Sequence, residues 1–490
     1  MIVTCAEMKA LEARAFAEGI DAENLMEEAG EKIARAVRQF FPAPGRCLAF
    51  FGKGHNGGDA LVAARYLALA GWAIEPRPAF AENEWIELTA RKRGELPAHQ
   101  SHANHEGPLV VLDGLLGIGA GGALREPVRA AAREINRLRR ESSAHIFALD
   151  LPTGLDADTG AADPDTVIAD FTLTIGCAKV GLLADTATNF VGRLAVIPLA
   201  ELTARLTPDG IAEVATPAHL AALLPRRRFD VHKGDCGRVG ILAGSPGFTG
   251  AAIMAAEACV HAGAGLVTLY VSPEIRPLIT ARIAPEVMVK TIIAFSEILA
   301  AKHDVLALGP GLGTERAEEI LALIVHAPQP VIVDADALNV LATRLESLDS
   351  CAGPRLLTPH PGEMARLFPE SKNLSRRETV ARFNARFPAA LLLKGARTLV
   401  GQSTLPLSYN STGTPGMASG GMGDVLTGVL AALAGQGLAL YDSARLGAWL
   451  CGRAAERALT HGGESEESLS ATHVIAHLGA AFHDLRDVLA

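Results

Sequence analysis

Asn-Ser-Thr-Gly-Thr-Pro-Gly-Met-Ala-Ser-Gly-Gly-Met-Gly-Asp-Val-Leu-Thr-Gly-Val-Leu, residues 410 to 430, is the stretch that organises the chain. A loop crowded with Gly, Pro, Ser and Thr gives way at Gly423-Asp424 to an apolar run that reads as a buried helix. Glycines just before a helix start let backbone N–H groups approach a ligand. The positive end of the helix dipole adds to them, so the stretch favours an anion, above all a phosphate. Asp424 falls on the first helical turn, where an acid ordinarily just stabilises the helix. Against an anion-binding cradle, the same carboxylate can instead take a proton from a hydroxyl that attacks a bound phosphoryl group.

The flanking sequence has the shape of an α/β domain. Lys233-Gly234-Asp235-Cys236-Gly237-Arg238 precedes the strand Val239 to Ala243, the loop Gly244 to Gly250, a helix from Ala251 to His261 and the strand Leu266 to Val271. Further short apolar strands end in Gly309-Pro310-Gly311-Leu312-Gly313, in Asp334-Ala335-Asp336, in Thr358-Pro359-His360-Pro361-Gly362-Glu363 and in Lys394-Gly395-Ala396-Arg397-Thr398. Such a series predicts a doubly wound sheet with its site along one edge. No G-x-x-x-x-G-K-[ST] loop occurs, so a nucleotide would be held by another geometry: Lys394 to Thr398 together with the 410–424 loop. His360, between two prolines, reads equally as a local hydrogen-bonding residue or as a ligand contact. Lys394 could as well be merely solvated.

The first half is built the same way. Two helical segments, Ala6 to Ala17 and Asn24 to Phe40, are separated by Glu18-Gly19-Ile20-Asp21. The strand Cys47 to Phe51 then runs into Gly52-Lys53-Gly54-His55-Asn56-Gly57-Gly58-Asp59 and a helix expected from Ala60 to Ala70. Gly52 to Gly57 matches the dinucleotide pattern G-x-G-x-x-G, with Glu75 as the ribose-binding acid, but Gly57-Gly58-Asp59 adds features that fingerprint does not need. Leu109 to Asp113 leads into Gly114 to Gly119, and His145 to Asp150 into Leu151-Pro152-Thr153-Gly154. In a parallel sheet the three polar strand ends would lie together. Thr207-Pro208-Asp209-Gly210, Thr216-Pro217 and Arg226-Arg227-Arg228 mark a linker, placing the boundary between domains 1–213 and 214–490.

At 490 residues, two or three domains are expected. The formal charge of −9 leaves no basic footprint for nucleic acid. No apolar run is long enough to span a bilayer, the start lacks the features of a signal peptide, and the 7 cysteines are scattered without a Cys-x-x-Cys pair. A cytoplasmic protein with reduced thiols is the expectation.

Two resemblances cover nearly the whole chain. Leu25-Met26-Glu27-Glu28-Ala29-Gly30, Gly52 to Asp59, Asp113 to Gly119 and Asp150 to Gly154 resemble the NAD(P)H-hydrate epimerase domain, a Rossmann-like α/β/α sandwich. Lys233-Gly234-Asp235, Gly309 to Gly313, Thr358 to Glu363, Lys394 to Thr398 and Gly416 to Asp424 resemble the ADP-dependent NAD(P)H-hydrate dehydratase, a ribokinase-like domain. The order is that of the fused bacterial repair enzymes. The first resemblance implies a potassium ion on Asn56, Asp113 and Thr153, substrate contacts at His55, Asn56, Gly57, Gly58, Asp59, Gly117, Ile118, Gly119 and Arg125, and Asp150 as acid/base. His55 stands where Asn is usual, Thr153 where Ser is usual, and the stretch from Gly119 to Arg125 is longer than typical. Threonine keeps the hydroxyl oxygen. The second implies that Ala251, Gly311, Gly313, His360 and Asp424 touch the hydrate. Lys394, Gly395, Ala396, Arg397 and Thr398 would hold ADP, with magnesium, together with the Gly421-Met422-Gly423 amides.

The activity so implied is epimerisation of hydrated NADH and NADPH and dehydration of the S form, with Asp424 as the base and AMP and phosphate as products. A homo-oligomer is also implied. The competing reading is a ribokinase-like small-molecule kinase that keeps its phosphorylated product, fused to a non-catalytic Rossmann-like binding domain.

Overall fold

Cys47-Leu48-Ala49-Phe50-Phe51 is apolar on both faces, and these residues are the buried part of a strand, Arg46–Phe51, as a parallel sheet covered by helices requires. A computed structural model describes residues 1–97, 107–119, 121–205, 212–224 and 226–487. The chain divides into two compact units, Met1–Asp209 and Gly210–Ala490.

In the first unit six parallel strands lie in the order Ala73–Pro78, Arg46–Phe51, Leu109–Gly114, His145–Leu149, Phe171–Ile175, Arg193–Ile197. The winding reverses between Arg46–Phe51 and Leu109–Gly114, so the crevice beyond their carboxyl ends is the switch point where such sheets take ligands. Phe50 pairs with Asp113 and Asp113 with Ala148, which brings the three polar strand ends to one level. The helices Cys5–Ala17 and Ala22–Phe40 break where the sequence predicts, each capped by a side chain, Thr4 and Asp21.

The helix after the second strand differs from expectation. It begins at His55 and runs to Leu69, taking Asn56 to Asp59 into its first turns. Glycines normally weaken a helix, but here tertiary packing demands them. A Cβ on Gly57 would run into the Gly52 carbonyl, and one on Gly58 would strike Met26. Glu75, the acid of the dinucleotide reading, lies within the edge strand Ala73–Pro78, paired with Arg77 at 2.6 Å.

The second unit carries ten strands in the order Val287–Thr291, Leu266–Val271, Arg238–Leu242, Val305–Leu308, Val331–Val333, Arg355–Leu357, Ala390–Leu393, Leu399–Gly401, Leu407–Tyr409, Ala212–Val214. The first seven are parallel; Leu399–Gly401 runs antiparallel to its neighbours. Ala212–Val214 pairs with Leu407–Tyr409, which draws residues 212 and 213 into the second unit, ahead of the expected boundary. Here the switch point lies between Arg238–Leu242 and Val305–Leu308.

The helix Met422–Gly435 is the centre of this unit, with Val425 to Ala434 buried without interruption. A helix apolar all round has to be enclosed. It packs against Thr249–His261 so closely that a Cβ on Gly428 would enter the Ala255 carbonyl. Among the described residues no helix is long and apolar enough to cross a membrane, and all 7 cysteines are free.

Candidate functional site

Each unit carries its candidate residues beyond the carboxyl ends of its parallel strands and at the helix starts that follow them. In the second, Gly421 (φ 89°) precedes the central helix, a left-handed turn that glycine adopts without strain. The Val425 N–H donates to the Gly421 carbonyl at 3.0 Å, so the amides of Met422, Gly423 and Asp424 have no partner within the helix. The sequence places the phosphate-holding amides at Gly421-Met422-Gly423, which overlaps this helix start. The preceding loop is pinned from behind: Gly413 N–H donates to Glu456 Oε1 at 3.0 Å and Thr412 Oγ1 to the Trp449 carbonyl at 2.9 Å.

Asp424 is half-buried, and its carboxyl is pushed up to about 6, first by burial, then by the Asp334 carboxylate, with Lys394 acting in the opposite sense. A base that titrates near neutrality is suited to proton transfer. Lys394 donates from Nζ to Asp334 Oδ1 at 2.6 Å, and Nζ lies 3.2 Å from where a Cβ would stand on Gly423. An ammonium group thus lies against the first turn of the helix, beside the cradle. The Gly395–Thr398 loop is bound to the rest by Arg376 Nη1 donating to the Ala396 carbonyl at 2.6 Å and by Asn410 N–H donating to the Thr398 carbonyl at 2.8 Å. The two loops read as nucleotide-binding are therefore joined.

Across the switch point, Gly311 (φ 57°) approaches Ala251 and Phe248: a Cβ on it would stand 3.1 Å from the Ala251 Cβ and 2.8 Å from that of Phe248. Gly313 N–H donates to Asp336 Oδ2 at 2.9 Å, and the Asp336 charge reaches Asp424. Gly311 thus packs on Ala251, and Gly313 is linked through Asp336 to the surroundings of Asp424. His360 caps the short helix Pro361–Leu367, its Nδ1 accepting from Gly362 N–H at 3.0 Å and Glu363 N–H at 3.2 Å. The local hydrogen bond foreseen for it is present, and the Nε2 of its exposed ring lies 3.5 Å from Glu363 Oε1.

In the first unit Asn56 ties two strand ends together, Nδ2 donating to the Leu116 carbonyl at 2.8 Å and the Leu149 carbonyl at 3.2 Å. Leu116 N–H in turn donates to Thr153 Oγ1 at 3.3 Å, and Thr153 Oγ1 donates to Asp113 Oδ1 at 2.7 Å. Asn56, Asp113 and Thr153 are therefore linked through one residue. Asn56 Oδ1 is buried with no hydrogen-bond partner. An orphaned buried oxygen near a carboxylate and a hydroxyl fits an all-oxygen alkali-metal site. Asp113 is fully buried, which pushes its carboxyl up to about 6 against the hydrogen bonds from Thr153 and Leu115.

Asp150 has a left-handed backbone (φ 65°). Its Oδ1 accepts from Ile175 N–H at 3.2 Å and from the buried Lys179 ammonium. Its Oδ2 lies 3.7 Å from a Cβ position on Gly117, so one oxygen is anchored and the other faces the expected substrate segment. Asp59 is held well above the usual carboxylate range, by burial first and then by Asp150 and Glu12. His55 and Arg125 are exposed. Among the described residues no hydrogen bond ties Arg125 to Asp150, and Ala120 within that contact segment lies outside them.

Four residues were not among the expected site residues, although Asp334 lies in a strand end and Thr427 in the helix that the sequence singles out: Glu12, Lys179, Asp334 and Thr427. Lys179 and Asp334 had a signal, a charge at the end of an apolar strand. Glu12 and Thr427 had none, because each joins its site through partners remote in the chain.

Residues 239–477 match a family model described as NAD(P)H-hydrate dehydratase, and residues 22–181 one described as YjeF-related protein N-terminus. The chain is 37% identical over 501 residues to the bifunctional NAD(P)H-hydrate repair enzyme of Moorella thermoacetica, covering 94% of this chain and 93% of that one. It is 35% identical over 460 residues to the Escherichia coli enzyme of the same description, covering 89% and 85%. A solved structure of the ADP/ATP-dependent NAD(P)H-hydrate dehydratase from Bacillus subtilis is similar to 56% of this chain and covers 99% of its own, at 27% identity and a TM-score of 0.49. With both halves matched in one chain and near-complete relatives at this identity, the chain belongs to the family of bifunctional NAD(P)H-hydrate repair enzymes.

Proposed function

We propose that the second unit converts the S form of hydrated NADH or NADPH back to the reduced cofactor at the expense of ADP, and that the first unit interconverts the R and S forms. The observation that carries this reading is Asp424, a half-buried carboxyl pushed up to about 6 beside helix-start amides that have no partner within their own helix and an ammonium. In this reading Asp424 accepts the proton of the C6 hydroxyl while its oxygen attacks the terminal phosphoryl of ADP. The new oxygen–phosphorus bond forms as the bond to AMP breaks. The Gly421-Met422-Gly423 segment and Lys394 offset the charge gathering on the transferred group. The ring nitrogen then expels phosphate from C6, and loss of a proton from C5 restores the ring double bond. Hydroxide leaves poorly and phosphate leaves well, which is the reason for a nucleotide in a dehydration.

Lys394 to Thr398 would hold the nucleotide. Ala251, Gly311, Gly313 and His360 would meet the hydrate. Among the described residues no group of three or more His, Cys, Asp or Glu side chains gathers as a metal site, so magnesium would arrive with the nucleotide phosphates.

In the first unit Asp150 would assist departure and return of the C6 oxygen through its open Oδ2. Asn56, Asp113 and Thr153 would hold potassium, whose positive charge would order the strand-end loops against the substrate. Arg125, His55 and Asp59 remain proposed contacts. The proposal includes ADP in preference to ATP, self-association and a cytoplasmic location, which rest on the family resemblance.

The test is to mix the protein with chemically hydrated NADH and ADP or ATP, with and without potassium, following the reduced nicotinamide absorbance and AMP release. Complete recovery of NADH from both epimers, with AMP, is expected. A persistent phosphorylated product would instead establish the kinase alternative, which the fused two-family match disfavours.

A further inference from the structure

Asp334 follows the strand Val331–Val333 and stands at the N-cap of the helix Ala335–Leu341. An aspartate there ordinarily turns its carboxylate onto the amides of its own helix. This one makes no such cap. Instead Oδ1 accepts from Lys394 Nζ at 2.6 Å and Oδ2 from Thr427 Oγ1 at 2.7 Å. The residue is 1% exposed, and a buried carboxylate is tolerated only where its partners are well fixed. Those partners lie 60 and 93 residues away in the chain, and both adjoin Asp424. Thr427 follows it by three residues on the same helix face. The Lys394 ammonium lies against Gly423, where the absence of a side chain leaves it room.

The lysine therefore has two carboxylates within its field and is hydrogen-bonded to one of them. Were it free to bond Asp424, the ion pair would quench the base and draw the positive charge away from the amide cradle. We propose that Asp334 is the positioning residue of the dehydration site: it holds Lys394 at the cradle and off Asp424, and grips the start of the catalytic helix through Thr427. This inference rests on the reading of the second unit as a dehydratase. The charged groups facing Asp424 are Asp334, Asp336 and Lys394; the two acids raise its proton affinity and the lysine lowers it. Two substitutions should therefore move the titration of Asp424 in opposite directions, which a packing role for Asp334 would not do.

The test uses the full chain carrying Asp334→Asn or Lys394→Met. Asp334→Asn is expected to lower kcat for ADP-dependent NADH recovery about ten- to hundredfold, with a smaller change in KM for ADP. The acid limb of its kcat–pH profile should move to lower pH by about half a unit or more. Lys394→Met should move that limb to higher pH. Wild-type kcat with an unmoved limb in Asp334→Asn would overturn the proposal, as would limbs moving the same way in both variants. If Asp334→Asn does not fold, the direction of the limb in Lys394→Met decides: upward supports the lysine's restraint, unmoved or downward overturns it. If the wild-type protein recovers no NADH with ADP, the functional reading fails separately. The Asp424 carboxyl is then titrated by 13C NMR in wild type and Asp334→Asn, where a lower value in the variant supports the proposal and an equal value overturns it.

Discussion

Asp424 and Asp150 are both strand-end or helix-start carboxylates beyond the carboxyl ends of a parallel sheet, yet the chain prepares them in opposite ways. Asp424 is tuned by its surroundings: burial and a neighbouring acid push its carboxyl up to about 6, while the nearby lysine is tied to Asp334. Asp150 is held by bonds: a left-handed backbone, an amide and a buried ammonium fix one oxygen and leave the other open. The difference teaches how each proposed reaction is divided. A base that accepts a proton once, from a hydroxyl attacking a phosphoryl group, gains from a raised proton affinity. A group that assists an oxygen both leaving and returning gains more from being fixed in place.

The largest effect should come from Asp424→Asn. Dehydration is expected to fall by about two to four orders of magnitude, measured as AMP release, while epimerisation persists. Because the raised proton affinity of this half-buried carboxyl costs folding free energy that is fully present above about 6, shrinks as pH falls below it and is gone below the ordinary Asp value, the variant should melt no earlier than wild type at neutral pH. An early melt would show Asp424 to be a structural acid. Next is Asp150→Ala, expected to cut epimerisation by about two orders of magnitude and to leave turnover of the S form intact. Epimer exchange above the spontaneous rate, followed by NMR, would end the comparison by removing one of its members.

A smaller effect sharpens the comparison through pH. Asp424 acts as a base only when ionised, so kcat for dehydration should decline about tenfold per pH unit below about 6. A dehydration rate that stays flat a full pH unit below that point would break the assignment of Asp424 as the base. The smallest effect is Gly421→Ala. Its φ of 89° and the Met254 Sδ at 2.6 Å from the added Cβ should cost about 1–2 kcal/mol, read from a denaturant midpoint. No loss would mean that the cradle turn is not held in that conformation.

Much of this was legible in advance. The strands Arg46–Phe51, Leu109–Gly114, His145–Leu149, Arg238–Leu242 and Val305–Leu308 announce themselves as short apolar runs followed closely by Gly or Asp, since a strand buried on both faces admits little else. The left-handed turn at Gly421 and the helix start at Met422 were visible because glycine and a helix start are both local signals. The start of the helix at His55 was not, because propensity opposes glycine and only the approach of Gly52 and Met26 requires it.

By itself, then, the sequence determined the two-part α/β organisation, the strand ends that carry polar residues, and Asp424 and Asp150 as the acids to watch. Those follow from side-chain periodicity and from turn and cap chemistry, which act over a few residues. The tertiary structure alone decided that Lys179 anchors Asp150, that Asp334 holds Lys394 beside Gly423, and that Ala212–Val214 closes the edge of the second sheet. Each of these joins residues dozens to hundreds of positions apart, and the pairing of buried charges and backbone edges depends on where folding brings them rather than on what lies next to them in the chain.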